Sequence, residues 1–513
     1  MSDGEAAPPG GPPIEVAGAG DEPVARGRRS RRLPWLVVLI VMVSFVAVYG
    51  LWARQGLDDA QRTAAEAPGA LIQAATGTGT SLAAVGRAAG LASPCTAWLL
   101  DVGAPPEAPA HAVTTGRCVG VTDVSVVESG VALPRASVSF RAFAPRGSSR
   151  GRGLVEAPVD TLEWASVRGT DLAVLRLGTT YGELVEQGVR PITAVAPAGP
   201  GAEILVAGVP VEGVDPRGQY LRGSRCQVGT TTDVVEGSWL WDDLQESGCR
   251  GILRGSLGSV VLNEAGQAVG MVSTTTIGAA DGPDCIEGRP CEVGPEGVRV
   301  ARDTSYMVGL EGLAACVPEG RFVLGPTCPL EDPTGVVPAE PSTSSARPGA
   351  VVQVEVGQAP GAQPGARVWA KEGDLEEVDC AGPFGWRSAG RTLEVQLPAQ
   401  PGFTVVCVGS AEQPTTVVLR VDATRPDAAR IDLLETPVIG GVRVQPVADP
   451  PELVGFRWVS APEGALDCGT AEGYVTYDGQ PAMIQAADLP ATVCVIGIDA
   501  AGNESAPSTH VIE

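Results

Sequence analysis

The apolar residues between about residue 70 and residue 331 are arranged in short runs. Runs rich in valine and leucine, such as "ASVSFRAFA", "DLAVLRLG", "AEILVAGVP" and "GSVVLNEAGQAVGMVS", alternate with turns that contain glycine or proline. Many short apolar segments separated by regular turn signals are typical of an all-β barrel or sandwich. The pattern therefore predicts a mainly β domain at residues 70–331.

One apolar run is much longer than the others. The segment "LPWLVVLIVMVSFVAVYGLW", residues 33–52, carries no charge and follows "RGRRSRR". As a helix it would span about 30 Å, which is enough to cross a bilayer, and the arginines would keep the N-terminal side in the cytoplasm. We expect a disordered cytoplasmic tail at 1–32, a transmembrane helix at 33–52 and a stalk at 53–69. The chain would then be a single-pass protein of the plasma (cytoplasmic) membrane with its C-terminal ectodomain outside.

A cleaved signal peptide is the alternative for the same run. Signal peptides have shorter apolar cores and end at a site of small residues. The run at 33–52 is longer than such a core, and no small-residue cleavage site follows it. The uncleaved anchor is therefore the favoured interpretation.

Composition and charge divide the rest of the chain and limit its partners. A chain of 513 residues is too long for a single core, and a proline- and serine-rich linker at 332–350 separates the first domain from the remainder. The net charge of -24 disfavours nucleic acid as a partner, because both molecules would be negative. No nucleic-acid ligand is therefore expected.

Twelve cysteines indicate disulfides. All of them follow the apolar run at 33–52, and they fall into close successive couples. An even number of cysteines in an exported chain is typical of an oxidising compartment. Zinc binding is the alternative, but no C-x-x-C spacing occurs and the only histidines are His111 and His510. We expect neither a metal nor another cofactor.

The chain beyond the linker contains an internal repeat. Trp369, "DC" at Cys380 and a strand around Cys407 recur as Trp458, "DC" at Cys468 and a strand around Cys494. This pattern predicts two small β-sandwich modules, module 1 at residues 351–423 and module 2 at 424–513. They resemble immunoglobulin-like or fibronectin type III-like modules of bacterial cell-surface proteins, in particular through the closing "DAAGNESAPSTHVIE". Both tryptophans precede the cysteine couple, so the antibody-type pattern is absent, and a spacer or adhesive role is expected.

Three motifs in residues 70–331 resemble those of trypsin-like serine proteases. "CTAWLLDVG" and "HAVTTGRCVG" are similar to the strands that flank the catalytic histidine, and "DLAVLRL" is similar to the segment of the triad aspartate. "RGSLGSVVLNEAGQAVGMVS" is similar to the segment of the nucleophile. The resemblance implies a trypsin-like double β-barrel in which Arg117 replaces the histidine, Asp171 keeps the aspartate and Leu257 replaces the serine.

Two of the three catalytic positions are thus degenerate. Acyl transfer by this family needs a hydroxyl nucleophile and an imidazole that exchanges a proton near pH 7. Arginine keeps its proton at physiological pH, and leucine offers no nucleophile. The sequence therefore predicts a pseudoprotease that acts as a binding or scaffold protein and not as an enzyme.

Two other interpretations remain. An active serine endopeptidase would need a displaced triad, with Ser256 or Ser259 as the nucleophile and His111 as the base. His111 is six residues before Arg117 and, on a strand, would lie some 20 Å away, so we expect it to be a polar residue at a strand edge. A chance resemblance between all-β domains is the third interpretation.

The resemblance and the repeat also suggest how the cysteines pair. Cys95 would join Cys118 across the loop that carries Arg117, each module would close its own disulfide, and proximity in sequence suggests the rest. The expected pairs are Cys95–Cys118, Cys226–Cys249, Cys285–Cys291, Cys316–Cys328, Cys380–Cys407 and Cys468–Cys494.

The degenerate site leads to three structural expectations. Arg117 should donate two parallel hydrogen bonds to Asp171 over about 2.7–3.2 Å, unless its side chain swings into the open cleft instead. Leu257 should cap the cleft with an apolar surface. A protein or peptide ligand is expected in the old substrate cleft, added as a strand, although the domain could equally be retained only for its surface.

Overall fold

The computed structural model describes most of the chain after residue 68. The described residues are 69–73, 80–144, 153–211, 214, 218–253, 255–278, 284–330, 336–341, 345–358, 368–409, 414–438, 440–447 and 452–513. The predicted tail at 1–32, the predicted transmembrane helix at 33–52 and nearly all of the predicted stalk lie outside them. Within the described residues, no helix combines the length and the apolar composition that crossing a bilayer would require.

The described part of the chain is mainly β, as predicted. The strands that precede the predicted linker are β1 Ala70–Leu71, β2 Val85–Ala89, β3 Cys95–Asp101, β4 Pro109–Thr114, β5 Val127–Glu128, β6 Val131–Ala132, β7 Ser137–Phe140, β8 Val155–Ser166, β9 Leu172–Thr180, β10 Ile192–Thr193, β11 Glu203–Gly208, β12 Arg222–Glu236, β13 Trp239–Ser247, β14 Val260–Leu262, β15 Ala268–Thr275, β16 Cys291–Gly294, β17 Gly297–Arg299 and β18 Ser305–Val308. The helical segments are α1 Tyr181–Glu186 and short 3-10 turns at Ser81–Ala84, Arg117–Val119, Leu313–Cys316, Pro318–Gly320 and Ala486–Asp488.

The remaining strands begin inside the predicted linker. They are β19 Val336–Pro341, β20 Ser345–Ala346, β21 Val351–Gln358, β22 Val368–Asp374, β23 Arg387–Ala389, β24 Thr392–Gln396, β25 Gly402–Gly409, β26 Pro414–Val421, β27 Arg430–Val438, β28 Gly441–Val447, β29 Leu453–Pro462, β30 Val475–Thr476, β31 Ala482–Gln485, β32 Ala491–Asp499 and β33 Ser508–Ile512. β19 pairs with β21 and β20 pairs with β26, so part of the predicted linker belongs to the sheets of module 1.

The first barrel is a closed ring of strands in the order β3-β2-β7-β8-β9-β4, with β4 returning to β3. β8 shows why these residues form strands, because Val155, Ala157 and Val159 are buried while the residues between them are exposed. A period of two places every second side chain in the core. Trp98 and Trp164 are the largest fully buried side chains of this core.

The second barrel is a ring in the order β11-β14-β15-β18-β13-β12, with β12 returning to β11. Closure of a sheet removes its free edges, which is how small all-β domains avoid unpaired backbone groups. All residues of β15 are buried, including Ser273 and Thr274. The two rings are consistent with the double barrel of a trypsin-like fold.

Each module consists of two sheets. Module 1 has β19-β21-β24 and β20-β26-β25-β22-β23, and module 2 has β27-β28-β31 and β30-β29-β32-β33. In module 1 the loop that follows β22 is held by Lys371, whose Nζ donates to the carbonyls of Asp379, Gly382 and Phe384 and lies 5.1 Å from the ring centre of Trp386. The two-sheet arrangement agrees with small β-sandwiches, while the likeness to immunoglobulin modules stays a prediction.

All six expected disulfides are formed. The separations in sequence run from 6 to 27 residues, so every bond joins nearby segments of the chain. The bonded pairs are Cys95–Cys118, Cys226–Cys249, Cys285–Cys291, Cys316–Cys328, Cys380–Cys407 and Cys468–Cys494. The predicted pairing is therefore confirmed.

Candidate functional site

The turn that carries Arg117 is fixed on both sides. β4 ends at Thr114, and the 3-10 turn Arg117–Val119 follows directly. Gly116 permits this close approach, because a Cβ atom there would lie 2.4 Å from the carbonyl oxygen of Ser166. The Cys95–Cys118 disulfide then ties the turn to β3. Arg117 is therefore held in the first barrel at the side that faces the second barrel.

The carboxylate of Asp171 receives Arg117 as predicted, but with a different geometry. Arg117 Nε donates to Asp171 Oδ2 over 2.9 Å, and the backbone N–H of Arg117 donates to Oδ1 over 3.1 Å. Ser273 Oγ donates to the same carboxylate over 3.1 Å. The predicted ion pair is present, whereas the predicted fork of two parallel side-chain bonds is wrong, because one of the two donors is the backbone.

The remaining nitrogens of the guanidinium bind elsewhere. Nη1 donates to Glu236 Oε1 over 2.9 Å, and Nη2 donates to the carbonyl oxygen of Ser273 over 2.6 Å. Arg117 and both carboxylates are buried. The alternative of a side chain that swings into an open cleft is therefore wrong for this structure. We call Arg117, Asp171, Glu236 and Ser273 the centre.

Two tryptophans enclose the guanidinium. Its central carbon lies 5.0 Å from the ring centre of Trp239 and 5.1 Å from that of Trp241. Such distances are within the range of cation–π attraction. Both indole N–H groups reach across to the first barrel: Trp239 donates to Thr122 O over 2.7 Å, and Trp241 donates to Val167 O over 3.0 Å. Residues 234–241, at the tip of β12 and β13, thus cross the cleft, and we call them the strap.

The loop that precedes β16 also holds the strap, through hydrogen bonds to Glu236 and Gly237. Gly288 N–H donates to Glu236 Oε1 over 2.6 Å, and Gly237 N–H donates to the carbonyl oxygen of Cys285 over 2.9 Å. The Cys285–Cys291 disulfide closes this loop. The strap is therefore fixed by backbone contacts as well as by its side chains.

The charges in the centre do not balance. One guanidinium faces the carboxylates of Asp171 and Glu236. Burial alone would lower the pKa of Arg117, but Glu236 and Asp171 outweigh burial and raise that pKa further above its usual range. Arg117 is thus a permanent cation, and it cannot take or return a proton as an imidazole does.

The segment of the expected nucleophile contains no reactive hydroxyl pair. Leu257 is half-buried, and its carbonyl oxygen accepts from Thr96 N–H over 2.9 Å. Ser259 Oγ donates to Ser256 O over 2.5 Å, and both serines are buried. No contact in the described structure joins either serine to His111. That Leu257 caps the cleft stays a prediction.

The sequence suggested that His111 is a polar residue at a strand edge, and this prediction is wrong. β4 pairs with β3 on one side and with β9 on the other, since the barrel closes there, and His111 is fully buried. Burial lowers the pKa of His111 to about 4, against the opposing effect of the Pro109 carbonyl, and Arg176 lowers it further. His111 is a neutral core residue near neutral pH.

Sequence reasoning missed Glu236, Trp239 and Trp241. Glu236 lies 119 residues from Arg117 in sequence, and no motif connects them. The only available signal was "VVEGSWLW", in which a carboxylate interrupts an otherwise apolar hairpin. No group of three or more potential metal ligands occurs among the residues that the structure describes.

Neither a family model nor a curated protein matches the chain. Among solved structures, the inactivated protease paralogue S-D1 of the scabies mite matches 50% of this chain and 100% of its own, with 11% identity and a TM-score of 0.33. The MamO protease domain of Magnetospirillum magneticum matches 45% and 94%, with 16% identity and a TM-score of 0.28. The thermostable serine protease AL20 of an extremophilic microorganism matches 47% and 96%, with 17% identity and a TM-score of 0.28.

Proposed function

We propose that this chain is a non-catalytic protein of the trypsin-like fold that acts as a binding or scaffold protein. The observation that carries the proposal is the occupation of the place beside Asp171 by the guanidinium of Arg117. Membrane anchoring through residues 33–52, with the C-terminal ectodomain outside, is part of the proposal and rests on the sequence.

The geometry around Arg117 supports the proposed absence of protease activity. A base must release and accept a proton at the nucleophile, and Arg117 instead uses its N–H groups to hold Asp171, Glu236 and Ser273. Leu257 has no side-chain atom that can attack a carbonyl carbon. The arrangement stabilises a closed cleft between the two barrels and offers no route to an acyl-enzyme.

The partner we propose is a protein or peptide. Strand addition in the old substrate cleft was the expected mode, but Ser273 and Thr274 are buried in β15 and Arg117 is buried beside them. A partner of the closed form would therefore bind to the exposed surface around the centre. The centre itself would serve to keep the two barrels together.

A fluorophosphonate probe tests the absence of catalysis. We expect no covalent labelling of the purified protein at concentrations that label an active trypsin-like protease completely. The matched variant is Arg117→His combined with Leu257→Ser, which restores the side chains of the triad. Labelling of the unmodified protein would support the displaced-triad endopeptidase and overturn the proposal.

The anchoring is tested separately by protease treatment of intact cells or spheroplasts. We expect the ectodomain to be removed and the N-terminal tail to be spared, because the arginines at 26–32 favour a cytoplasmic N-terminus. Digestion of the tail instead would reverse the proposed orientation.

A further inference from the structure

The strap has two faces that contact different parts of the molecule. Val235 and Leu240 are directly paired across the hairpin, as are Glu236 and Trp239. Directly paired residues point to the same side of a hairpin, and successive residues point to opposite sides. Glu236 and Trp239 face Arg117, so Val235 and Leu240 face away from it.

Module 1 covers this second face. Val235 and Leu240 belong to one apolar cluster with Val405 and Val418 of module 1. β13 also lies against β26, and Arg168 of the first barrel donates to Thr415 Oγ1 over 3.2 Å. The strap is therefore packed between the centre on one side and module 1 on the other.

The strands β25 and β26 of the module contribute the apolar side chains of this contact. Val405 and Val418 are paired across β25 and β26 and are both fully buried. Their neighbours Val406 and Val417 point to the opposite side and are buried in the sandwich core of the module. Because β25 and β26 are buried on both faces, module 1 is docked and does not merely follow the barrels along the chain.

We propose that module 1 acts as a clamp on the strap, so that access to the Arg117–Asp171 centre depends on the docking of module 1. Undocking would expose Val235 and Leu240 to water and remove the support for one face of the hairpin. Glu236 and Trp239 lie on the same hairpin and would lose their fixed position over Arg117. The inference goes beyond the proposed function, since it holds whether or not the cleft binds a partner.

The coupling must act in both directions. If docking of module 1 favours the closed strap, then closure of the strap favours docking by the same free energy. A change that loosens the strap from the side of the centre should therefore loosen the contact face of module 1. This reciprocity distinguishes a clamp from a contact that is merely adjacent.

Amide hydrogen exchange on the full chain tests the clamp. Val418→Asp places a charge in the apolar contact, and Thr415→Val is a milder variant that removes the hydrogen bond from Arg168. We expect exchange in residues 234–241 to become at least about tenfold faster in Val418→Asp, with a smaller increase in Thr415→Val, while β3 keeps its protection. The matched control is Val511→Asp, at a side chain of module 2 that is 50% exposed. It should leave the exchange rates of the strap and of β3 unchanged.

Trp239→Ala tests the reverse direction. We expect faster exchange in residues 404–408 and 414–419 of module 1, again without a change in β3. Unchanged exchange of the strap in both module 1 variants would overturn the clamp. Equal acceleration of the strap and of β3 in Thr415→Val would also overturn it, because the barrels and the strap would then open as one unit.

Discussion

Modules 1 and 2 share a sequence pattern but are used differently. The cysteines of each module are 27 and 26 residues apart and form the same internal disulfide. In module 1, Val405 and Val418 pack against the strap. In module 2, Val475 and Val511 remain 55% and 50% exposed on the corresponding sheet. The repeated sequence pattern thus specifies the β-sandwich fold of both modules. The side chains on the outer face of the sheet determine whether a module packs against a neighbouring domain.

Among the described residues, the apolar cluster of module 2 contains no residue of module 1, and the two modules meet through hydrogen bonds. Asn503 Nδ2 donates to the carbonyl oxygen of Asp422 over 3.2 Å, and Arg347, which follows β20 of module 1, donates from Nη2 to the carbonyl oxygen of Gly502. Exposed polar contacts contribute little to stability compared with buried apolar area. Module 1 is therefore packed against the second barrel through apolar side chains, whereas module 2 has an apolar core of its own.

Truncation should show this difference with the largest effect. A chain that ends at residue 423 lacks only module 2, and we expect its thermal midpoint to fall by less than about 4 °C. A chain that ends at residue 331 also lacks module 1, which leaves Val235 and Leu240 exposed at roughly 1.5–3 kcal/mol each. We expect its midpoint to fall by about 10 °C or more by calorimetry. Similar midpoints for the two truncated chains would remove the distinction between the modules.

The second largest effect is expected when a buried arginine and a partly exposed arginine are each replaced by alanine. Arg117 is buried between carboxylates, whereas the ion pair of Arg457 with Glu504 in module 2 is partly exposed. Arg117→Ala leaves buried charges unpaired and should lower the free energy of unfolding by roughly 3–5 kcal/mol. Arg457→Ala should lower it by less than about 1 kcal/mol. Urea titrations of both variants measure the two values.

A double-mutant cycle with Asp171→Ala refines this comparison. We expect a coupling between Arg117 and Asp171 well above about 0.5 kcal/mol, because the two side chains are bonded directly. Additive losses would mean that the pair makes no net contribution.

Acid should weaken the first barrel through His111. Its pKa is about 4 in the folded protein and 6.5 in the unfolded chain, so the unfolded chain binds the proton more readily. The stabilisation of the folded protein that results from this difference in pKa is complete above pH 6.5 and is lost as the pH falls from 6.5 to 4. It amounts to about 3 kcal/mol. His111→Leu should flatten this part of the stability curve. In module 2, His510 is half-buried and its pKa is lowered by burial, so His510→Leu should flatten the curve less.

The smallest effect is expected at an exposed aromatic residue. Phe384 in module 1 is 86% exposed, and its loop is held by Lys371 and by the Cys380–Cys407 disulfide. Phe384→Ser should therefore change the free energy of unfolding by less than about 0.5 kcal/mol. A larger loss in urea titration would mean that the ring supports the loop, and docking of module 1 would then involve more than the sheet face.

Local sequence patterns predicted most of the fold. Short apolar runs between turns, such as the run that forms β9, indicated strands directly, and close spacing predicted cysteine pairs such as Cys226–Cys249. The resemblance of the segments around Arg117 and Asp171 to the motifs of trypsin-like proteases predicted that these two side chains would meet. These predictions depend on contacts that short segments specify.

The missed features depend on distant segments. Glu236 and Trp241 meet Arg117 only because two barrels close against each other, and no spacing encodes that contact. The buried state of His111 follows from closure of the first barrel, which places a strand on either side of it. The docking of module 1 was hidden because an apolar sheet face has the same sequence pattern whether it forms a core or an interface.

Lys371 has a practical consequence for chemical labelling. It is the only lysine in the chain, and its amino group is enclosed by three carbonyl oxygens and the ring of Trp386. Reagents that acylate ε-amines would therefore find almost no target on the described part of the folded chain, and amine-to-amine crosslinkers would report no contacts from it. The 60 aspartate and glutamate residues offer far more attachment points, so carbodiimide chemistry is the suitable means of trapping a partner.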